Sequence, residues 1–144
     1  MSSNPDCHET CYDNPAYAAA EAALADAQAA ESEAQAALDA INATLEDARA
    51  KEAARQEMSA QCQAVRESIE SIGNTVMPAA NWAEFEENEK CINETYANAL
   101  ANFITEAENE QKECQRALEE ATKAREQAER TLAATPKIIC ETTC

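Results

Sequence analysis

The chain has 144 residues and a net charge of −17, from 11 basic and 28 acidic residues. Such a charge excludes nucleic-acid binding, which needs a basic surface, and it opposes docking on anionic membranes. A chain with one histidine and one glycine offers neither a His-based catalytic site nor a glycine-rich phosphate loop, so we expect no enzyme. Many of its apolar residues are alanines, which bury little area, and so the core should be thin and need staples or partners.

Helix formers dominate, and the single glycine and four prolines lie near predicted element ends, so we predict an all-α fold. Residues 1–14 are a polar lead-in. Asn14-Pro15 is a typical helix start because Asn caps free backbone N–H groups and Pro suits the first helical position. Helix one is predicted over 15–72, since nothing in that stretch breaks a helix.

Helix one carries a regular apolar seam. One row repeats every seven residues and a mostly alanine row lies between its members, which is the a/d pattern of a coiled coil; the rows are Tyr17, Leu24, Glu31, Leu38, Leu45 and Ala20, Ala27, Ala34, Ile41, Ala48. Glu31 is either a flaw or a polar contact with a partner. The charge-rich stretch 46–57 interrupts this seam. We predict a second, phase-shifted seam beyond it, made by Met58, Cys62, Val65, Ile69, Ile72 and Val76.

The bend is predicted over 73–81. Gly73 suits the position just after a helix, where φ is positive, and Pro78 prevents immediate continuation. Asn81 and Glu84 form a capping box that starts helix two, predicted over 82–135. Thr135-Pro136 ends that helix, because a residue before proline is disfavoured in helical geometry. Residues 136–144 are the tail.

Helix two carries the bulkier apolar side chains. We predict an interaction surface of seven residues near the bend: Trp82, Phe85, Ile92, Tyr96, Leu100, Phe103 and Ile104. Several recur every eleven residues, which indicates straight or slightly right-handed helices. The apolar stripe is wider than one alanine-rich helix can cover. Either a second hairpin completes a four-helix bundle or a lateral neighbour covers the stripe, unless the hairpin simply tolerates exposed apolar atoms.

Six of the seven cysteines are placed symmetrically about residues 75–77. This symmetry predicts one long antiparallel two-helix hairpin, stapled by the disulfides Cys7–Cys144, Cys11–Cys140 and Cys62–Cys91. The alternative for the four terminal cysteines is a zinc site, with His8 able to replace one ligand, although zinc pairs are usually spaced C-x-x-C. Disulfides need an oxidising compartment, and the N-terminus has no signal peptide, so we expect the leader to be absent from this sequence. A reducing compartment with free thiols or metal is the other option.

Three further positions are candidates for modification or cross-linking. Cys114 has no partner in the hairpin and is either a buried free thiol or an intermolecular disulfide. Asn42-Ala43-Thr44 and Asn93-Glu94-Thr95 both fit the glycosylation pattern.

Two family resemblances rest on these features. The C-x-x-x-C pairs Cys7/Cys11 and Cys140/Cys144 resemble those of the small intermembrane-space chaperones and their twin-cysteine relatives, although there only a short segment separates the two pairs. The resemblance covers those four cysteines and implies a helical hairpin closed by two disulfides. The acidic, alanine-rich, cysteine-stapled composition is similar to that of matrix proteins of ciliate extrusive organelles.

Two functions fit these expectations. The first is a secreted or granule-lumen structural rod that self-associates into a fibre, matrix or coat. Its dense carboxylates would bind divalent cations such as calcium weakly. Association of such rods would depend on these cations, because the carboxylates repel each other until cations screen them. The second is a secreted or surface-exposed binding module that recognises a protein partner through the aromatic patch near the bend.

Overall fold

The computed structural model describes the backbone of residues 6–73 and 79–144, and their side chains except those of 69–73, 79–82 and Phe85. Two long helices dominate: α1 over Pro15–Gly73 (59 residues) and α2 over Ala79–Ala134 (56 residues). They pack against each other as an antiparallel hairpin, which confirms the predicted fold class. Two short strands, β1 over His8–Asp13 and β2 over Ile138–Thr143, flank the helices in sequence.

The helix bounds differ little from those predicted. Gly73 is the last residue of α1, whereas the sequence predicts it to be the first residue of the bend. The second helix begins at Ala79, before the predicted capping box at Asn81. Residues 74–78, which include Pro78, lie outside the described part of the chain.

Contacts divide the chain into two units, and each contains a stretch of both helices. Unit 1 comprises Met1–Leu38 and Cys114–Cys144, and unit 2 comprises Asp39–Glu113.

Unit 1 contains an antiparallel β-ribbon that the sequence analysis missed. β1 pairs with β2 in a register that places Cys11 opposite Cys140 and His8 opposite Thr143. β1 contributes Thr10 and Tyr12 and β2 contributes two Ile and two Thr residues, types that fit a pleated surface. Tyr12 donates a hydrogen bond from its hydroxyl to Glu141 Oε1 at 3.0 Å. This bond raises the pKa of Tyr12 above its ordinary value of 10.0.

Asn14 joins the ribbon to the helices. Its Oδ1 accepts the backbone N–H of Ala16 at 3.0 Å, which caps α1 as the Asn-Pro pattern predicted. The Nδ2 group donates to the carbonyl of Pro136 at 2.7 Å, and its backbone N–H donates to the carbonyl of Lys137 at 2.9 Å. Asn14 is buried with 8% of its surface exposed. One side chain therefore starts α1 and holds the opposite arm just after α2 ends.

The seam of unit 1 follows the predicted heptad pattern. On α1, the buried and half-buried positions recur at alternate steps of three and four residues, in the order Tyr17, Ala20, Leu24, Ala27, Glu31, Ala34 and Leu38. On α2, they continue the same spacing through Cys114, Leu118, Ala121, Arg125, Ala128 and Leu132. Glu31 Oε2 accepts a hydrogen bond from Arg125 Nε at 2.6 Å. The polar partner of Glu31 is thus a residue of the same chain.

Unit 2 begins with an apolar seam and continues with a polar one. Among its described side chains, the buried apolar residues are Ile41, Leu45, Ala48 and Ala107, with Leu45 only 1% exposed. Beyond Ala48 the same three-and-four spacing continues through half-buried Glu52, Arg55 and Arg66. The stretch of α2 that faces Arg66 also has polar residues at its half-buried positions, Glu86 and Glu89.

The predicted phase shift in helix one is therefore wrong. Met58 and Val65 are 64% and 57% exposed, and Cys62 is exposed as well. Met58 and Val65 each lie one residue before a seam position, and one residue rotates a side chain by about 100° around a helix. The seam keeps its register by accepting charged residues, and the apolar side chains point away from it. Ile69, Ile72 and Val76 lie outside the described side chains.

The predicted interaction surface on α2 divides into two sets. Leu100 and Ile104 are half-buried in the seam, whereas Ile92, Tyr96 and Phe103 are exposed by 69%, 50% and 48%. The eleven-residue repeat is thus not the packing repeat, because the inward-facing residues follow the heptad spacing. Trp82 and Phe85 were also predicted for this surface, and their side chains lie outside the described part of the chain.

Candidate functional site

The two terminal disulfides form as predicted. Cys7 and Cys144 are bonded across a sequence separation of 137 residues, and Cys11 and Cys140 across 129. Each pair has Cα atoms 4.1 Å apart, close to the narrow pairs of an antiparallel ladder. Because side chains alternate along a strand, cysteines four residues apart emerge on the same face of the ribbon. The disulfides indicate an oxidising environment outside the cytosol.

The alternative zinc site requires thiolates, and these sulfurs are bonded to each other in pairs. Among the described residues, Glu9, Cys11 and Cys140 bring possible ligand atoms within 4.8 Å of one another. Two of those three atoms belong to the Cys11–Cys140 disulfide, so they cannot act as thiolate ligands. His8 is exposed on β1.

The predicted third disulfide is absent: Cys62 and Cys91 are exposed free thiols. The error comes from the register. The midpoint in sequence between the bonded terminal cysteines lies at residues 75–76, whereas the midpoint between Glu31 and Arg125, which form an ion pair, lies at residue 78. The shift arises at residues 135–137, which are not helical and lie opposite the start of α1, so the two arms advance by different lengths per residue there. The ion pair between Arg66 and Glu89 shows that unit 2 has the shifted register as well. In this register residues 93–94, and not Cys91, lie opposite Cys62.

The remaining candidate positions are all on helices. Cys114 is a free thiol, half-buried in the seam of unit 1. Asn42 is exposed on α1, where its Oδ1 accepts a hydrogen bond from Gln111 Nε2 at 2.6 Å. Asn93 is exposed on α2. Glycosylation of either Asn and cross-linking through Cys114 stay predictions.

An exposed apolar surface lies on unit 2. We call it the unit 2 face and define it by the described large apolar side chains that the helices leave exposed: Met58, Val65, Ile92, Tyr96 and Phe103. All five belong to unit 2, and the other large apolar residues exposed in the described part, Tyr12 and Ile138, belong to the ribbon.

The members of the unit 2 face come from both helices and share one flank of the seam. Met58 and Val65 directly precede the seam positions Ser59 and Arg66. Tyr96 and Phe103 directly precede Ala97 and Ile104 in the same way. In an antiparallel pair, such positions of the two helices lie on the same side. Ile92 lies four residues before Tyr96 and therefore on the same face of α2.

Two electrostatic observations support this arrangement. Lys51 also directly precedes a seam residue, and Tyr96 of the other helix makes a small contribution to its raised pKa. The Asp47 carboxylate, 2.8 Å from Lys51 Nζ, raises the pKa of that lysine above its ordinary value. Arg49 and Glu108 directly follow the seam residues Ala48 and Ala107, so they lie on the opposite flank, where they form an ion pair at 3.6 Å.

The seam between the helices of unit 2 opens into a polar cleft. Its volume is about 700 Å³, and charged side chains of both signs line it, among them Arg55, Arg66, Lys90 and Glu94. Arg66 pairs with Glu89 at 2.7 Å and with Gln63 at 2.9 Å, while its buried Nε has no hydrogen-bond partner. Three basic and three acidic side chains line the cleft, so their formal charges balance.

Arg55 and Glu52 form a second ion pair at the cleft. Two Arg55 nitrogens donate to the Glu52 carboxylate at 2.6 and 3.0 Å, which lowers the pKa of Glu52. The sequence analysis missed these charged seam residues because it followed apolar residues alone. Extending the three-and-four spacing past Ala48 would have found Glu52, Arg55 and Arg66.

Comparison with protein-family models, with curated proteins and with solved structures finds no match to this chain. In the described part, neither helix contains a stretch apolar enough to cross a membrane.

Proposed function

We propose that the chain is a non-enzymatic structural protein, an acidic helical rod with disulfide-stapled arms that associates with copies of itself. In this proposal the protein works outside the cell or in a secretory lumen, and it assembles into a fibre, matrix or coat. The disulfides support the compartment, because thiols in a reducing cytosol stay unpaired.

The observation that carries the proposal is the thin core. In the described part, the buried apolar residues are Ala20, Ile41, Leu45, Ala48 and Ala107, and three of these five are alanines. A long helical pair with so little buried apolar area gains stability mainly from its staples and from packing against neighbours. Self-association supplies such neighbours without a second gene product.

Charge decides the conditions under which copies can associate. A net charge of −17 on each copy makes them repel at low ionic strength. Monovalent salt screens this repulsion, and divalent cations such as calcium neutralise carboxylates directly. We therefore expect association to strengthen with ionic strength, and more strongly with calcium at matched ionic strength.

Concentration dependence tests the proposal. A protein stabilised by its own copies shows a Tm that rises with concentration by mass action. The oxidised full chain should show this rise by differential scanning calorimetry, together with a mass above 15.6 kDa by light scattering. A mass of one chain and a constant Tm at every concentration, with and without calcium, would reject the proposal.

One observation favours a second function. Tyr96 and Phe103 are half-exposed aromatic side chains on one face, and such residues are enriched at binding hot spots. A monomeric chain that uses this face to hold a different protein is the alternative. The two functions separate on the calorimetry and scattering result, because a binding module needs no association of its own.

A further inference from the structure

We infer that the unit 2 face is the surface on which a second copy of this chain docks, face against face. This inference rests on the proposed function and adds the location and the partner. The face is a continuous strip because its members lie on one flank of an antiparallel helix pair, with Met58 and Val65 on one helix and Tyr96 and Phe103 on the other.

Charge favours a second copy as the occupant. Over residues 54–65 of α1 and 92–103 of α2, the exposed positions along this strip carry no charge: Ala54, Met58, Gln61 and Val65 on α1, and Ile92, Tyr96, Ala99 and Phe103 on α2. Lys51, the next position of the same flank on α1, is paired with Asp47 at 2.8 Å. The nearby Glu89 is neutralised by Arg66 at 2.7 Å. Two chains of net charge −17 repel over most of their surfaces, and this strip lets them approach without placing carboxylates against carboxylates. A partner selected by charge would bind the acidic surfaces instead.

The exposed area fits a weak, reversible dimer. The five side chains leave between 48% and 69% of their surface to water. Taking ~200 Å² for a large side chain, they present roughly 500–600 Å² per copy. Complete burial of two faces would remove about 1,000–1,200 Å² from water, which is above the threshold of about 1,000 Å² for a biological interface and below the range of stable ones.

The polar seam explains why the apolar residues are left outside. Glu52, Arg55 and Arg66 occupy inward positions on α1 in unit 2. Glu52 pairs with Arg55 along α1, and Arg66 pairs with Glu89 of α2. The five side chains of the unit 2 face lie outside this seam and stay exposed. A second hairpin on the face would create a four-helix arrangement whose apolar layer lies between the two copies.

Paired charge substitutions test the inference. Tyr96→Glu places a carboxylate on the face, whereas Asn98→Glu places the same charge on the other side of Ala97. We expect Tyr96→Glu to raise the dissociation constant of the dimer by about tenfold or more, as loss of a hot spot does. Asn98→Glu should change it less than threefold. Sedimentation velocity of the oxidised full chain over a concentration series measures both.

A second pair on α1 guards against a local folding defect. Met58→Glu should weaken the dimer as Tyr96→Glu does, while Ala60→Glu, on the far side of Ser59, should not. Unchanged helicity by circular dichroism identifies a binding effect. An associating wild type with equally associating Tyr96→Glu and Met58→Glu variants would overturn the inference and leave the proposed function standing. A wild type that stays monomeric would reject the proposed function itself.

Discussion

The two units share one helix–helix spacing and differ in what they place on it. In unit 1, alanine and leucine fill the seam, one ion pair crosses it, and two disulfides and Asn14 close the arms. In unit 2, the apolar row of α1 ends after Ala48, charged residues continue it, and five large apolar side chains lie outside the seam. The comparison shows that a heptad spacing fixes which residues face inward, while the residue types decide whether the pair is complete alone.

The largest effect should come from the staples of unit 1. Once Cys7–Cys144 is closed, Cys11–Cys140 adds only a ring of about ten residues, worth about 2–3 kcal/mol on the chain-entropy model. Losing the second disulfide as well then opens a loop of 137 residues and costs about 5 kcal/mol more.

Urea unfolding measures the free energy of unfolding of the wild type, of Cys11→Ser/Cys140→Ser and of the chain that lacks both disulfides. We expect the first step to cost less than the second. Two equal losses would mean that the disulfides act independently, which contradicts the nested loops of the ribbon.

Substitutions in the seam and on the unit 2 face should differ in their effect on the free energy of unfolding. Leu45 is 1% exposed, so Leu45→Ala should lower the free energy of unfolding by about 2–5 kcal/mol. Met58→Ala changes an exposed side chain and should stay within about 0.5 kcal/mol in dilute, monomeric protein. Thermal and urea denaturation measure both, and comparable losses would place Met58 in the seam after all.

The Asn14 junction gives an intermediate effect. Asn14→Ala removes the cap of α1 and the bond to Pro136, and so we expect a loss of about 1–3 kcal/mol. Asn98→Ala, at an exposed helical position, is the matched control and should be neutral or slightly stabilising. Hydrogen exchange should show the loss concentrated at the first turn of α1. An unaffected first turn would argue against the junction.

The smallest effect concerns pH. Arg125 holds the pKa of Glu31 below its ordinary value of 4.5, so the ion pair stabilises the fold above about pH 4.5. Below about pH 4.5 the unfolded state takes up a proton on Glu31 before the folded state does, which lowers the free energy of unfolding. Once the pH is below the lowered pKa, both states are protonated and the contribution of the ion pair is gone. The Tm of Glu31→Gln should therefore lie below that of the wild type at neutral pH and converge with it in acid. A constant gap across the titration would point to packing as the cause.

The sequence predicted what depends on local pattern. The Asn14-Pro15 start, the alternating seam from Tyr17 to Ala48 and the pairing of the terminal cysteines all follow from spacing and capping chemistry. The ribbon was missed because each strand has six residues and mixes acidic with β-forming side chains, a weak signal beside two helices of over fifty residues.

The remaining errors have one geometric cause each. Cys62 and Cys91 were paired by symmetry about the wrong residue, since the non-helical residues 135–137 of one arm shift the helices relative to the strands. Met58 and Val65 were assigned to a seam because they are apolar, yet Glu52 and Arg55 keep the inward positions by pairing with each other. Side-chain ion pairing of this kind depends on which positions face inward, and composition does not reveal that.

Thiol reactivity tests the central claim most directly. Cys62 is exposed between Met58 and Val65 beside the unit 2 face, whereas Cys91 follows a seam position and lies on the other flank. Alkylation of the oxidised chain, followed by peptide mass spectrometry, reports both thiols in one sample. We predict that raising the protein concentration slows the alkylation of Cys62 several-fold and leaves Cys91 unchanged. Equal rates for Cys62 at all concentrations at which the protein associates would contradict the account.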